Sequence, residues 1–298
     1  MAEQRSQASR IRVGTILHGD KIETIPVLAR HGFESVGLYL LGDAAKGLDW
    51  KSTAERIEQL IGDSDIVVSS ISVYLNSLTD PDARSVWESA IDGAPLFGCD
   101  LVAGLTGRIV DRPIEESLPA FTGLFRDLAK RAADNDVRIA FENWNGNGNW
   151  WWGDWNIAHH PKAWELIFDA LPYKSVGLQW EPCHQMMLLV DPVEQLRDWA
   201  PKVFNIHGKD AEISWEDVRR HGVDGSHPYA RPRTPSYGDL NWRSIFEILT
   251  GAGYSGSIDI EGFHDEQHGA DKEFASQLNA LEYLKICRGD IDAANPWE

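Results

Sequence analysis

Basic residues are scarce in this chain: 28 Lys and Arg stand against 46 Asp and Glu, a formal charge of -18 over 298 residues. So acidic a surface repels phosphate backbones, and no Lys/Arg cluster supplies the local footprint that nucleic-acid binding needs. Nucleic acid is excluded as a partner on that ground. Cysteine is scarcer still. Cys99, Cys183 and Cys287 are too few and too widely spaced for a disulfide framework or a CxxC metal site, which fits a reducing compartment. Long apolar runs are missing as well: the opening MAEQRSQASR is polar, no signal-like stretch follows it, and no later segment could span a bilayer. The expectation is a cytoplasmic protein without membrane contact. The chain also lacks a G-x-G-x-x-G or phosphate-cradling loop after any apolar run, and a Pro/Gly-rich linker that would divide it.

What is present is a rhythm. Apolar, β-branched runs at 11–17, 34–40, 66–74, 100–104, 138–142, 176–181, 203–207 and 257–261 read as strands, and a longer amphipathic stretch follows each. Strands alternating with helices imply right-handed crossovers and a parallel sheet, and eight such units imply a single closed (β/α)8 TIM barrel. The expected organisation is an N-terminal arm over 1–10, the barrel over 11–288 and a C-terminal tail over 289–298. A doubly wound open sheet is the alternative, weakened by the missing phosphate-binding loop.

Active sites of such barrels lie at the C-terminal ends of the strands. Strand five ends in Glu142, strand six in Glu181 with His184 just beyond, strand seven in His207 and strand eight in Glu261. Three carboxylates converging on one rim repel one another unless a positive charge sits between them. A divalent cation resolves the conflict, and carboxylates with one imidazole suit Mn2+ best, with Mg2+, Co2+ or Zn2+ as alternatives. Cys183 reads as packing. After strand five comes FENWNGNGNWWWGDWNIAHH, with five tryptophans over 144–155. Indole faces cover the C–H surface of sugar rings, and Trp144, nearest Glu142, is the expected sugar-facing ring. The long connection after strand seven carries His221 and His227, whose spacing matches no metal motif and which read as solvated.

The segments FEN (141–143), GLQWEPCH (177–184), NIHGKD (205–210), RTPSYGDLNW (233–242) and GYSGSIDIEG (253–262) resemble the xylose-isomerase-like barrel superfamily. That group includes sugar isomerases and epimerases, dehydratases and endonuclease IV. The resemblance implies metal ligation by Glu142, Glu181, His207 and Glu261, substrate oxygens held by His184 and Arg233, and Glu142 and Glu261 as the proton-transferring carboxylates. The strand-six ligand is usually Asp in this superfamily; Glu181 departs from it by one methylene. Lys209 and Asp210 of HGKD read as a local ion pair, and His18, Tyr39 and His264 as strand-end residues near the rim.

The implied activity is that of a divalent-metal-dependent sugar isomerase or epimerase, which abstracts the proton α to a carbonyl through a metal-bound cis-enediolate. The alternative is a metal-dependent lyase, hydratase or glycoside-cleaving enzyme acting on a 3-keto sugar by β-elimination. The partner in either case is a small-molecule sugar or keto-sugar, and the resemblance implies a homo-oligomer. Endonuclease activity is opposed by the acidic charge and by the absence of the further His and Asp ligands that a trinuclear zinc centre needs. A non-catalytic carbohydrate-binding barrel is opposed by the intact ligand set.

Overall fold

A computed structural model describes residues 10–223 and 225–290. The proposed terminal arm and tail therefore lie almost wholly outside the described residues. Eight parallel strands close into a barrel: β1 (Arg12–His18), β2 (Ser35–Leu41), β3 (Val67–Tyr74), β4 (Leu101–Gly104), β5 (Arg138–Glu142), β6 (Val176–Trp180), β7 (Val203–Gly208) and, last in the barrel, β10 (Ser257–Ile260). The closing pair is β1 with β10, in parallel register from Arg12 with Ser257 to Thr15 with Ile260. The eight expected strands are all present, with ends displaced by a residue at most. One such displacement matters here: Glu181 and Glu261 stand just past their strands, as the first residues of the loops.

The outer layer is α1 (Ile25–Arg30), α2 (Trp50–Ile61), α3 (Ala83–Gly93), α4 (Ile114–Asp134), α5 (Pro161–Ala170), α6 (Pro192–Trp199), α7 (Trp242–Gly251) and α8 (Glu273–Arg288). Side chains at the ends of the preceding loops start several of these helices. Asp49 accepts from the Ser52 amide, Asp191 from those of Val193 and Glu194, and Asn241 from that of Ser244, satisfying donors that the first turn leaves unpaired. The connection after β7 is not an irregular loop. It folds as an antiparallel hairpin of β8 (Asp210–Ile213) and β9 (Ala230–Arg233), with the helix Trp215–His221 between them.

The apolar core lies between sheet and helices. Trp87, Trp164, Trp180 and Trp242 are fully buried there, and each indole N–H finds an acceptor: Ser77 Oγ, the Ala158 carbonyl, Gln195 Oε1 and Asp210 Oδ2 respectively. That pairing removes the cost of burying an indole donor. Among the described residues no helix is long and apolar enough to cross a membrane.

Polar side chains run up the inside of the barrel. Asp259 of β10 accepts from Ser35 Oγ (2.6 Å), Ser69 Oγ (2.7 Å) and Asn205 Nδ2 (3.0 Å). Gln179 Nε2 donates to Asn205 Oδ1 and to Ser72 Oγ, both at 3.0 Å, while Gln179 Oε1 lies 3.1 Å from the Tyr74 hydroxyl. Tyr74 in turn donates to Glu142 at the rim. Gly14 leaves the space this ladder needs, because a Cβ there would sit 2.1 Å from Ser35 Oγ and 2.5 Å from Asp259 Oδ1. Gly14→Ala is therefore expected to destabilise the barrel by about 1–3 kcal/mol, the usual cost of overpacking. Chemical denaturation checks this against Gly251→Ala, where an added Cβ meets nothing within 4 Å and no such loss is expected.

Candidate active site

The four strand-end residues converge, and all four are buried. Glu142 Oε2, Glu181 Oε2 and Glu261 Oε2 lie 3.4, 3.3 and 3.2 Å from His207 Nδ1. A single ring nitrogen carries at most one proton and cannot satisfy three carboxylates. Oxygens and a nitrogen this close could hold a cation, and ligand atoms of Glu142, Glu181 and His207 all fall within 4.8 Å of one another.

The second carboxylate oxygens are tied separately. Glu181 Oε1 meets His184 Nε2 at 2.9 Å and Lys209 Nζ at 3.0 Å, and Glu261 Oε1 meets Lys209 Nζ and His264 Nδ1, each at 2.7 Å. The side-chain amide of Asn143 fixes the strand ends. Asn143 Nδ2 donates to the Glu181 carbonyl at 2.8 Å and Asn143 Oδ1 accepts from the Glu181 amide at 2.6 Å, locking the top of β5 to the top of β6.

Burial and the neighbouring Glu181 raise the Glu142 carboxyl above its ordinary value. Burial acts in the same sense on Glu261, but Lys209 and His207 outweigh it and hold that carboxyl well below the usual range. Glu181 is also held below it: burial and Glu261 push upward, and His184 and Lys209 prevail. His207 moves the other way. Burial disfavours its charge, yet hydrogen bonds with Glu181 and Glu261 push the imidazole up to about 10.

The expected ion pair of Lys209 with Asp210 does not form. Successive residues of an extended chain point to opposite sides. Lys209 therefore enters the acid cluster, whereas Asp210 turns to the outer layer and accepts from the Ala211 and Leu240 amides and from Trp242 Nε1. Arg233 stands apart from the cleft lining. It is buried with its guanidinium on Glu212 Oε2 (2.6 Å) and Asp265 Oδ1 (3.4 Å), and it does not line the cleft above the cluster. His184 and Trp144 do line it, with Tyr39 and His264. His18 packs edge-on to Tyr39 and Phe263 outside it. Cys183 is buried against Met187, and although its sulfur approaches Glu181 and His184, burial raises the thiol well above its ordinary value and keeps it protonated. His221 and His227 stack on each other in the exposed part of the β8–β9 connection, 3.9 Å between centroids. Tyr74 and Lys209 are the site residues that sequence reasoning missed or misread. Tyr74 ends β3 and was legible from that position; the direction taken by Lys209 was not.

The five loop indoles divide. Trp144 and Trp155 face the cleft, whose volume is about 590 Å³. Trp150 donates to Glu115 Oε1 on α4, and Trp151 and Trp152 are exposed on the outer surface. The loop is clamped from beneath. Arg108, wholly buried, donates to the carbonyls of Arg112, Asn149 and Trp150, and Asn156 Nδ2 donates to those of Glu142 and Trp144. Gly146, at φ 58°, leaves room for Trp155: a Cβ there would lie 2.5 Å from the Trp155 Cβ.

Comparison with known proteins follows the fold. The family described as the xylose isomerase-like TIM barrel matches residues 25–285. YfiH of Bacillus subtilis (strain 168), an uncharacterized protein, is 22% identical over 147 residues, which is 46% of this chain and 44% of YfiH, so the match spans less than half of that relative. The structure of L-ribulose 3-epimerase has a TM-score of 0.68 at 17% identity, covering 93% of this chain and 94% of that one. The apo form of YcjR, the 3-keto-D-glucoside 4-epimerase of E. coli, has a TM-score of 0.68 at 15% identity, covering 93% and 100%. At such identities the likeness to these structures is one of fold.

The clamp under the tryptophan loop is directly testable. Arg108→Met removes the donors that hold the Arg112 and Asn149 carbonyls, at up to about 1–3 kcal/mol for each group, while the Trp150 carbonyl keeps the Ile114 amide. Amide hydrogen exchange over 144–155 is expected to accelerate more than exchange in β1 and β2. A uniform acceleration across the chain would show that Arg108 supports the barrel as a whole and not the loop.

Proposed function

The chain belongs to the xylose isomerase-like TIM barrel family, and from that premise we propose that it is a divalent-metal-dependent sugar isomerase or epimerase. The observation that carries this reading is the convergence of three carboxylate oxygens on His207 Nδ1, with the remaining oxygens of Glu181 and Glu261 held by cationic side chains. Hard oxygens with one imidazole nitrogen fit Mn2+ best. Glu142, Glu181, His207 and Glu261 would hold the cation, which when bound would polarise a sugar carbonyl as a Lewis acid.

The remaining work falls to the chain's own groups. Glu142 and Glu261 rise from strands separated in the barrel by β6 and β7, so they reach a carbon on the cleft floor from different sides. One removes the proton α to the carbonyl, and the other returns a proton to the opposite face or to the neighbouring carbon. Lys209 and His264 steady Glu261 through Oε1, and Tyr74 steadies Glu142 through Oε2. His184, fixed on Glu181, presents its ring to substrate oxygens at the cleft wall.

A second reading shares the first step. The same proton abstraction on a 3-keto sugar expels a substituent from the β carbon, and the apolar upper part of the cleft favours a substrate that carries one. The exposed Trp151 and Trp152 support a homo-oligomer, since interfaces concentrate such rings.

Two experiments test the proposal. In D2O with Mn2+ and a panel of ketoses and 3-keto-glycosides, NMR should show exchange at the carbon α to the carbonyl, and Glu142→Gln or Glu261→Gln should slow it by roughly 10²–10⁴. No exchange with any member of the panel would overturn the reading, whereas release of the substituent would select the lyase. Metal binding gives an independent measure. With the imidazole pushed up to about 10, His207 is protonated at neutral pH and must lose a proton before Nδ1 can hold a cation. Calorimetry in buffers of different ionisation enthalpy should show about one proton released per Mn2+, one Mn2+ per chain, and affinity that rises with pH up to about 10. Uptake without proton release would show that His207 is neutral before the cation binds or lies outside the ligand set, and His207→Ala, which lowers affinity only in the first case, separates the two.

A further inference from the structure

The upper half of the cleft is more apolar than proton transfer at its floor requires. Leu41, half exposed at the end of β2, faces the opening, as do Trp144 and Trp155 from the connection after β5, Met187 after β6 and Pro232 in β9. These residues come from four separate connections, so the apolar arc is not the by-product of one unusual loop. Several are held in place: Gly146 makes room for Trp155, Asn156 binds the Trp144 carbonyl, and the Tyr229 hydroxyl donates to the Met187 carbonyl at 2.5 Å. Polar groups line the cleft at Asn145 and Asn147, between the two indoles in sequence, and at His264 and Glu266 after β10.

Such a wall suits neither of the smaller sugar classes. An indole can cover the C–H face of one sugar ring, but a free ketose on the floor would leave the Leu41, Met187 and Pro232 surfaces uncovered. A phosphorylated sugar fares worse. Lys209 is the one Lys or Arg among the described residues that lines the cleft, it is already held by Glu181 and Glu261, and Glu142 and Glu266 add negative charge to the same space. The wall does suit a flat apolar group. The rings of Trp144 and Trp155 lie 6.1 Å apart at 38°, and both line the cleft together with Leu41.

Building on the reading of the floor as a keto-sugar site, we propose that this arc is an aglycone subsite and that the substrate is a keto-glycoside with an aromatic aglycone. The sugar lies on the floor with its hydroxyls toward His264 and Glu266, and the aromatic ring lies along the two indoles.

Binding of unoxidised glycosides tests the subsite without turnover. Calorimetric titration of the Mn2+-loaded protein with phenyl, methyl and octyl β-glucosides should give the phenyl compound an affinity about tenfold above that of the methyl compound, with octyl in between. Trp155→Ala should abolish the phenyl preference and Trp155→Phe should retain most of it. Leu41→Asp, at the exposed mouth where folding is not at stake, should reduce it from the other side. Equal affinity for phenyl and methyl glucosides, or a phenyl preference indifferent to Trp155 and Leu41, would overturn the subsite. Octyl binding as tight as phenyl would replace the aromatic aglycone by an alkyl one and overturn the proposal as stated. The two readings fail separately: loss of the phenyl preference with α-proton exchange intact sinks only the subsite, and absence of exchange with the preference intact sinks only the isomerase assignment.

Discussion

Three buried carboxylates within hydrogen-bonding range of one imidazole nitrogen are the constraint around which this molecule is arranged. Like charges so close in a weakly screened interior are tolerated only where each is met by a donor or a cation. The features nearest the cluster follow from that requirement. Lys209 bridges two of the carboxylates, His184 and His264 cap them from the cleft, and Tyr74 reaches across from β3 to the third. Asn143 ties the tops of β5 and β6 together, so that Glu142 and Glu181 keep their spacing without relying on flexible side chains.

The barrel was legible because its strands, buried on both faces, read as near-continuous apolar runs between amphipathic helices. The four converging residues were legible for a related reason: strand ends in this fold share one rim, so chain position stands in for spatial position. Where a side chain points beyond the strand end was not legible. Lys209 and Asp210 are neighbours in sequence but part company across the extended backbone, one to the acid cluster and one to Trp242. Arg233 sits where the family pattern expects a substrate contact, yet Glu212 and Asp265 take up its guanidinium, and Glu212 comes to it only through the hairpin of β8 and β9. Nothing in the spacing of the connection after β7 announces that hairpin.

The tryptophan loop shows the same boundary. Composition alone makes 144–155 a sugar-binding patch, but its five indoles have three fates: cleft wall, contact with α4 and open surface. What sorts them lies beneath the loop, in Arg108 and Asn156, whose donors grip backbone carbonyls and so fix the path of the chain whatever rings it carries. A cation paired only with carbonyls leaves no pattern of alternating charge in the sequence to reveal it.

The polar ladder inside the barrel divides the molecule into parts with different evolutionary freedom. Loop residues on the rim contact the ladder at few points, so exchanging one indole or methionine for another side chain is close to an independent event. Asp259, Asn205, Gln179, Tyr74 and Glu142 form one connected chain from floor to rim. A change at any link alters the partners of the next, and effects within such a network do not add. New substrate preferences are therefore reachable by single steps through the loops, while a new catalytic floor requires several concerted replacements across five strands.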